Sequence, residues 1–272
     1  MAFLAMPQPF DFEHTTERFR VFGPDLANLW HKGGLHRVAD GREVRIESAP
    51  GGVNVEPLDE DARPVVLKLL GAEFDLDAFR PADPILAGIA TRLRGFRPPL
   101  SSDPFEMLVG AISAQQISLR AALAVRNRFI ERFGVRAELA YAFPTPERVA
   151  TAKWDELTTL GFSGRKADYV LSLARSDVDF AALASRPDEE VKATLVQLPG
   201  IGEWTADWFL ARHLARPRAW PAGDLALRKV VSAFYGDGRP LTTQEVRAIG
   251  TRFDPFQNLS AHYLLLGNRL PG

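Results

Sequence analysis

Residues 198–209, "LPGIGEWTADWF", place a Pro-Gly-Ile-Gly turn directly before two tryptophans four residues apart. Gly200 and Gly202 admit backbone angles that other residues resist, and a helix starting just after them presents bare amides. Such a terminus carries partial positive charge and unpaired N–H donors, which makes a seat for a phosphate. Trp204 and Trp208 lie at i and i+4 on one helix face. They suit core packing, and they equally suit a wall on which a planar cation stacks. Three aspartates that could serve as an acid, Asp207, Asp224 and Asp237, fall in or after this stretch. Asp207 adjoins Trp208 and would face away from Trp204, while Asp237 sits in a Gly-rich turn. Asp224 precedes "LALRKVV", where an aspartate N-cap is the ordinary role. A bare Gly-x-Gly turn is a weak motif, and a corner that packs and binds nothing fits it too.

The elements that must position these residues are mostly helical. From Asp103 onward Asp103, Pro104 and Glu106 read as N-cap, first-turn proline and capping-box partner. Phe105, Leu108, Val109 and Ile112 follow at helical spacing. "FPTPERVATAKWDEL" and "SGRKADYVLSLARS" read as further helices, each after a turn signal. "SRPDEEVKATLVQL" starts with Ser185 as cap, Pro187 early, and acidic residues in the first turn where the helix dipole favours them. That helix stops near Leu198-Pro199-Gly200, and the next runs from about Glu203 to Leu214. Two more follow, after "PAGD" and over "NLSAHYLLLGN".

The first 80 residues read differently. "HRVADGREVRIES" has an Asp-Gly turn between two alternating runs, a hairpin signal. "GGVNVEPL" continues the alternation and "DEDARPVVLKLLGA" looks like a short helix, giving a small mixed α/β domain over 1–81. The proline-punctuated segment that follows marks the crossing to the helical part.

Composition narrows the chemistry. The 272 residues hold no cysteine, which excludes disulfides, thiolate nucleophiles, cysteine zinc sites and iron–sulfur clusters. The opening "MAFLAMPQPF" offers no basic leader, and no stretch approaches the apolar length of a membrane span. The cytoplasm, beside the nucleoid in a bacterium, is the expected location. Net charge is −1, with nine Lys+Arg against fourteen Asp+Glu in residues 1–80, leaving 24 against 20 of the totals 33 and 34. The basic excess beyond residue 80 suits an anion-binding face there.

Taken together, "LPGIGEWTADWF" and "WPAGDLALRKVV" resemble the helix-hairpin-helix, Gly/Pro-rich loop and aspartate signature of the HhH-GPD DNA glycosylase superfamily. The branch most similar is 3-methyladenine DNA glycosylase II. "DPFEMLVGAISAQQIS", "GFSGRKADYVLSLA" and "LGAEFDLDAF" extend the resemblance, in the expected order, over most of the chain. It implies a mainly α protein, a two-part helical core with an N-terminal sheet-containing domain. One helical domain would span 104–216 and end in the hairpin, about 187–214. The other would combine 82–103 with 217–272 and carry the catalytic aspartate.

The resemblance implies roles for individual residues. Asp224 matches the acid that stabilises the oxocarbenium ion formed when a sugar–base bond breaks, and that orients or deprotonates the attacking water. Alkylated purines of the N3-methyladenine and N7-methylguanine type already leave well, so one carboxylate suffices. Trp204 stands where relatives that also cut the strand carry a Schiff-base lysine, so a monofunctional enzyme leaving an abasic site is expected. Trp204, Trp208 and Leu265 would line the base pocket. Leu198, Pro199, Gly200, Ile201, Gly202 and Thr205 would form the DNA-binding hairpin. Gln116 or Ile117 would be the wedge that fills the gap left by the flipped base. Backbone carbonyls of Val196, Leu198 and Ile201 match those holding a monovalent Na+ or K+ ion in relatives, and no other cofactor is expected. Glu203 departs from the phosphate-friendly pattern and is expected to point outward. The implied partner is damaged double-stranded DNA, bound by a monomer and without a membrane. The alternatives are a noncatalytic helix-hairpin-helix DNA-binding protein, or the same fold acting on uracil or hypoxanthine. The first of these has no need of "PAGDLALRK" at its offset.

Overall fold

The computed structural model describes residues 1–270. The alternating N-terminal runs form an antiparallel sheet of β1 (Ala2–Ala5), β2 (Asn28–His31), β3 (Gly34–Ala39), β4 (Arg42–Ala49) and β5 (Gly52–Glu56), in the order β1-β5-β4-β3-β2. Asp40 and Gly41 both take positive φ, 43° and 72°, as a two-residue hairpin turn requires. Leu35 pairs with Ile46, and Ile46 with Val55. These three side chains are fully buried, so they set which face of the sheet is the core. Two short helices, α1 (Phe12–Thr16) and α2 (Arg18–Val21), precede β2, and α3 (Ala62–Leu69) follows β5. Phe12 and Phe19 from the first two and Val66 and Leu69 from α3 join the sheet's core.

The proline-rich crossing contains a helix that its punctuation hid, α4 (Pro84–Arg92), started by Asp83 accepting from the Leu86 amide and by Pro84 at the first position. The remaining elements are α5 (Pro104–Ala114), α6 (Leu119–Phe133), a two-residue ladder β6 (Val135–Arg136) and β7 (Tyr141–Ala142), α7 (Pro146–Ala150), α8 (Trp154–Thr159), α9 (Gly164–Ala174), α10 (Phe180–Leu183), α11 (Asp188–Leu195), α12 (Glu203–Arg212), α13 (Leu225–Tyr235), α14 (Thr243–Gly250) and α15 (Gln257–Gly267). No helix among the described residues is long and apolar enough to cross a membrane.

The helices form two cores. One draws on residues 105–219 and the other on 74–100 together with 222–266. Phe74, Leu76 and Phe79 pack in the second core, with Phe79 against Tyr263 at 5.0 Å and Phe256 at 5.7 Å. By packing, the N-terminal unit therefore ends near Leu70, earlier than residue 81.

Buried polar contacts weld the sheet unit to the helices. Asp103 caps α5 by accepting from the Glu106 amide at 2.6 Å. The Glu106 carboxylate does not reach back to complete a capping box. It accepts from Arg37 on β3 at 2.7 Å and from Arg126 on α6 at 2.6 Å, with Asn28 on the same oxygen as Arg126. Two buried guanidiniums outbid one backbone amide because charge-assisted bonds are the stronger ones in a desolvated site. Glu43 accepts from the amides of Glu138, Leu139 and Ala140. Buried Arg97 donates to the carbonyls of Pro9, Gly71 and Phe74. The site below is thus built on one welded body.

Candidate active site

The hairpin is α11, the turn 196–202, and α12. Ser185 is not the cap of α11: its hydroxyl donates to the Ala182 carbonyl and closes α10, and Pro187 holds the N-cap position. In the turn, the amides of Leu198 and Ile201 donate to the carbonyls of Leu195 and Leu198 at 3.0 and 3.1 Å. Gly200 takes φ +79°, and a Cβ there would lie 2.2 Å from the Tyr169 ring. Only glycine fits. Gly202 differs, with extended backbone (φ −104°, ψ −178°) and open space where a Cβ would be. It opens α12 without any side-chain cap, whereas Asp or Ser caps α5, α6, α9 and α13. The first amides of α12 are therefore left unclaimed by side chains. An open hollow of about 550 Å³ lies over the turn, bounded by Leu198–Gly202, Gln115, Tyr169 and Trp204. Thr205 is buried at 1 % exposure and lines the floor of the same hollow.

Opposite the turn, the link between α5 and α6 carries Gln116 and Ile117, both exposed, with Gln116 held at φ +57°. Its neighbour Gln115 donates from Nε2 to the Gly200 carbonyl at 2.8 Å. This bond ties the expected wedge to the hairpin across 85 residues, and sequence reasoning passed over it. A single amide side chain beside the wedge positions was its only trace.

Asp224 is the N-cap of α13, its Oδ1 accepting from the Leu227 amide at 2.8 Å. Its other oxygen accepts from two indoles, Trp204 Nε1 at 2.8 Å and Trp208 Nε1 at 3.1 Å. Three donors from two helices leave the carboxylate little rotational freedom, and it keeps partial solvent access. Trp204 both bounds the hollow and holds Asp224, so the hairpin and the carboxylate share one wall. The rivals lie elsewhere. Asp207 is buried and paired with Lys192 at 2.9 Å, and burial raises its pKa. Asp237 occupies an exposed turn at φ +48°. Glu203 points outward to Arg247 at 2.5 Å.

The two tryptophans do not play the same part. Trp204 is half-exposed. Trp208 is 4 % exposed, the Arg212 guanidinium lies 3.8 Å from its ring centroid, and His262 meets it edge-on at 5.5 Å. Its expected free face for a base is covered, because Arg212 follows one helical turn later on the same side. Burial pushes Arg212 down to about 9, with Arg18 adding repulsion, and holds His262 well below its ordinary value. Leu265 packs against both helical cores, at their seam. Among the described residues no cluster of His, Asp or Glu could hold a metal ion.

Comparisons with known proteins agree with this geometry. The family model described as "HhH-GPD superfamily base excision DNA repair protein" matches residues 109–254. The chain is 27% identical over 223 residues to a DNA-3-methyladenine glycosylase of Bacillus subtilis, covering 76% of this chain and 74% of that protein. It is 28% identical to DNA-3-methyladenine glycosylase 1 of Schizosaccharomyces pombe, covering 78% and 92%. A solved 3-methyladenine DNA glycosylase from Archaeoglobus fulgidus superposes with a TM-score of 0.88 at 28% identity, covering 99% of each chain. The matched span contains the Gln115 link, the hairpin and Asp224, and the chain belongs to the HhH-GPD superfamily of base excision DNA repair proteins.

Proposed function

We propose that this protein is a monofunctional DNA glycosylase that hydrolyses the N-glycosidic bond of alkylated purines, of the N3-methyladenine and N7-methylguanine type, in double-stranded DNA. The observation that carries the proposal is Asp224, fixed by Trp204, Trp208 and the start of α13 beside an amide-lined hollow. The relatives named DNA-3-methyladenine glycosylase support the substrate class. A solved S. pombe 3-methyladenine DNA glycosylase in complex with abasic DNA, with a TM-score of 0.59, supports the partner.

In this reading the α12 amides hold a backbone phosphate without reading sequence. The damaged nucleotide turns out of the stack, because its glycosidic bond is inaccessible within the duplex. Gln116 or Ile117 fills the gap, kept at the hairpin's side by Gln115. The C1′–N bond breaks with its electron pair leaving on the base, and the positive charge of the alkylated base is thereby discharged. Asp224 faces the oxocarbenium ion and aligns the water whose oxygen bonds C1′. Trp204 has no amine, so no Schiff base forms and the product is an abasic site. The carbonyls of Val196, Leu198 and Ile201 belong to residues around one hollow and are hard oxygen donors, a set suited to Na+ or K+ that would brace the turn. A monomer suffices, since one chain carries hairpin, wedge and carboxylate.

The test is release of free methylated base from alkylated duplex DNA by wild type and Asp224→Asn. Release that is lost in the variant, with duplex binding kept, is expected. Wild-type rates in Asp224→Asn, or a covalent DNA adduct trapped by borohydride, would overturn the proposal.

A further inference from the structure

Arg212 is the third member of the α12 face that carries Trp204 and Trp208, at i, i+4 and i+8. Its guanidinium covers the face of the Trp208 indole at 3.8 Å, and the edge nitrogen of that same indole donates to Asp224 at 3.1 Å. One ring therefore separates the guanidinium from the carboxylate that faces the sugar. A base joined to a sugar that faces Asp224 would need to extend about one ring's width to meet Arg212.

Arginine in a desolvated place ordinarily pairs with a carboxylate through its planar fork. Among the described residues Arg212 makes no side-chain hydrogen bond and no ion pair, and its Nε is buried without a partner. Asp224, across the indole, offsets part of its charge, while two other arginines act against it. Arg18, from α2 of the sheet unit, is exposed and likewise makes no ion pair among the described residues. Arg269, after α15, is engaged with Glu17 at 2.8 Å. The three arginines come from the three packed units of the chain, and Arg18 and Arg269 both press on the charge of Arg212. Around Arg212, arginines thus outnumber the carboxylates that act on it, and its own donors have no acceptor among the described residues.

We propose that Arg212 reads the extruded base and selects purines with a carbonyl at C6 over purines with an amino group there. This deepens the glycosylase reading and rests on it. A 6-oxopurine offers O6 to the guanidinium, and N7 too where that atom is unsubstituted, an acceptor edge matched to an arginine fork. N7-methylguanine keeps O6, and hypoxanthine keeps O6 and N7 without a formal charge. N3-methyladenine offers an amino group at that edge, a donor facing a donor. Arg212 also serves bond breaking for the neutral base. When C1′–N9 of a hypoxanthine nucleotide breaks, the electron pair leaves on the base, and the negative charge spreads toward O6 and N7 where the guanidinium stabilises it. Water supplies oxygen to C1′ and its proton ends on the released base, so hydrolysis balances without another reactant.

The experiment uses the full chain as wild type, Arg212→Ala and Arg212→Lys. Single-turnover release is measured from methylated duplex DNA, which carries N7-methylguanine and N3-methyladenine together, and from a duplex with one hypoxanthine. In Arg212→Ala the ratio of N7-methylguanine to N3-methyladenine release is expected to fall about tenfold or more, with hypoxanthine release falling at least as far. Arg212→Lys keeps the charge without the fork and is expected between the two. Melting temperature and affinity for an abasic duplex, measured on the same samples, separate a lost contact from a lost fold. If Arg212→Ala unfolds, the ratio in Arg212→Lys decides. Equal loss of all three bases in folded variants, or an unchanged ratio, overturns the inference alone. Release of no base by the wild type overturns the glycosylase reading and this inference with it.

Discussion

Trp204 donates its indole N–H to Asp224 Oδ2 at 2.8 Å, joining the first turn of one helix to the cap of another across 20 residues. Trp208 donates to the same oxygen from one turn further on. The hairpin and the carboxylate are thereby one mechanical unit.

That sharing makes Trp204→Phe and Trp208→Phe non-additive. Each removes one charge-assisted bond, worth about 1.5–3 kcal/mol, or roughly 10- to 150-fold in single-turnover rate. Because both donors serve one oxygen, the double variant is expected to lose less than the product of the single losses. A double-mutant cycle on base release measures this. Strict additivity would show that the indoles act separately.

Gly200→Ala and Gly202→Ala should part company. At Gly200 the new methyl meets the Tyr169 ring at 2.2 Å and the backbone sits at φ +79°, so stability falls by at least the roughly 1–3 kcal/mol of such backbone strain, and the turn reshapes. At Gly202 nothing is met and the backbone is ordinary. Gly202→Ala is expected to keep its stability within about 0.5–1 kcal/mol of wild type and still weaken duplex binding, because the methyl sits beside the open amides. Thermal melts and a binding titration at fixed salt would distinguish them.

Gln115→Ala cuts the tie to the Gly200 carbonyl. The bond is partly buried, so the stability loss is about 1 kcal/mol. Base release should fall further than stability does, with duplex affinity nearly kept, because the wedge positions lose their fixed distance from the hairpin. Release at wild-type rates in this variant would argue that the wedge needs no such anchor.

Acid should loosen the weld between sheet and helices. Burial would raise the Glu106 pKa, but Arg37 and Arg126 outweigh it and hold the carboxyl at about 2, below its ordinary 4.5. Its contribution is complete above 4.5 and is lost as pH falls toward 2. Burial holds His213 at about 4 against 6.5, with Lys68 adding to the shift. A lowered histidine binds its proton more tightly when unfolded, so it costs stability as pH falls from 6.5 toward 4. Denaturant midpoints should therefore begin to drop below pH 6.5 and drop further below 4.5. Glu106→Gln leaves buried Arg37 without a carboxylate and Arg126 with Asp25 alone, which costs about 3–5 kcal/mol at neutral pH and flattens the limb below 4.5.

Local signals carried much of the fold. Asp40-Gly41 and the caps Asp103 and Asp224 each report on residues within four positions of themselves, and the structure uses them locally. Where a local signal failed, a distant partner had won. The capping-box partner Glu106 went to Arg37 and Arg126, and Ser185 closed α10 instead of opening α11. The α4 helix was overlooked because its prolines lie at its start, where proline is tolerated, and were read as breaks.

The inventory of this site is written in residue types: a glycine turn before a helix, two indoles on one face, an aspartate cap, no thiol and no lysine at position 204. Those are properties of residue type and near-neighbour spacing, which a chain carries before it folds. Folding alone sets which oxygen the indoles share, that Gln115 reaches Gly200, and that Arg212 covers Trp208 with its donors unspent. Each of these depends on how helices cross and how far a side chain extends, so packing of the whole chain has to set them.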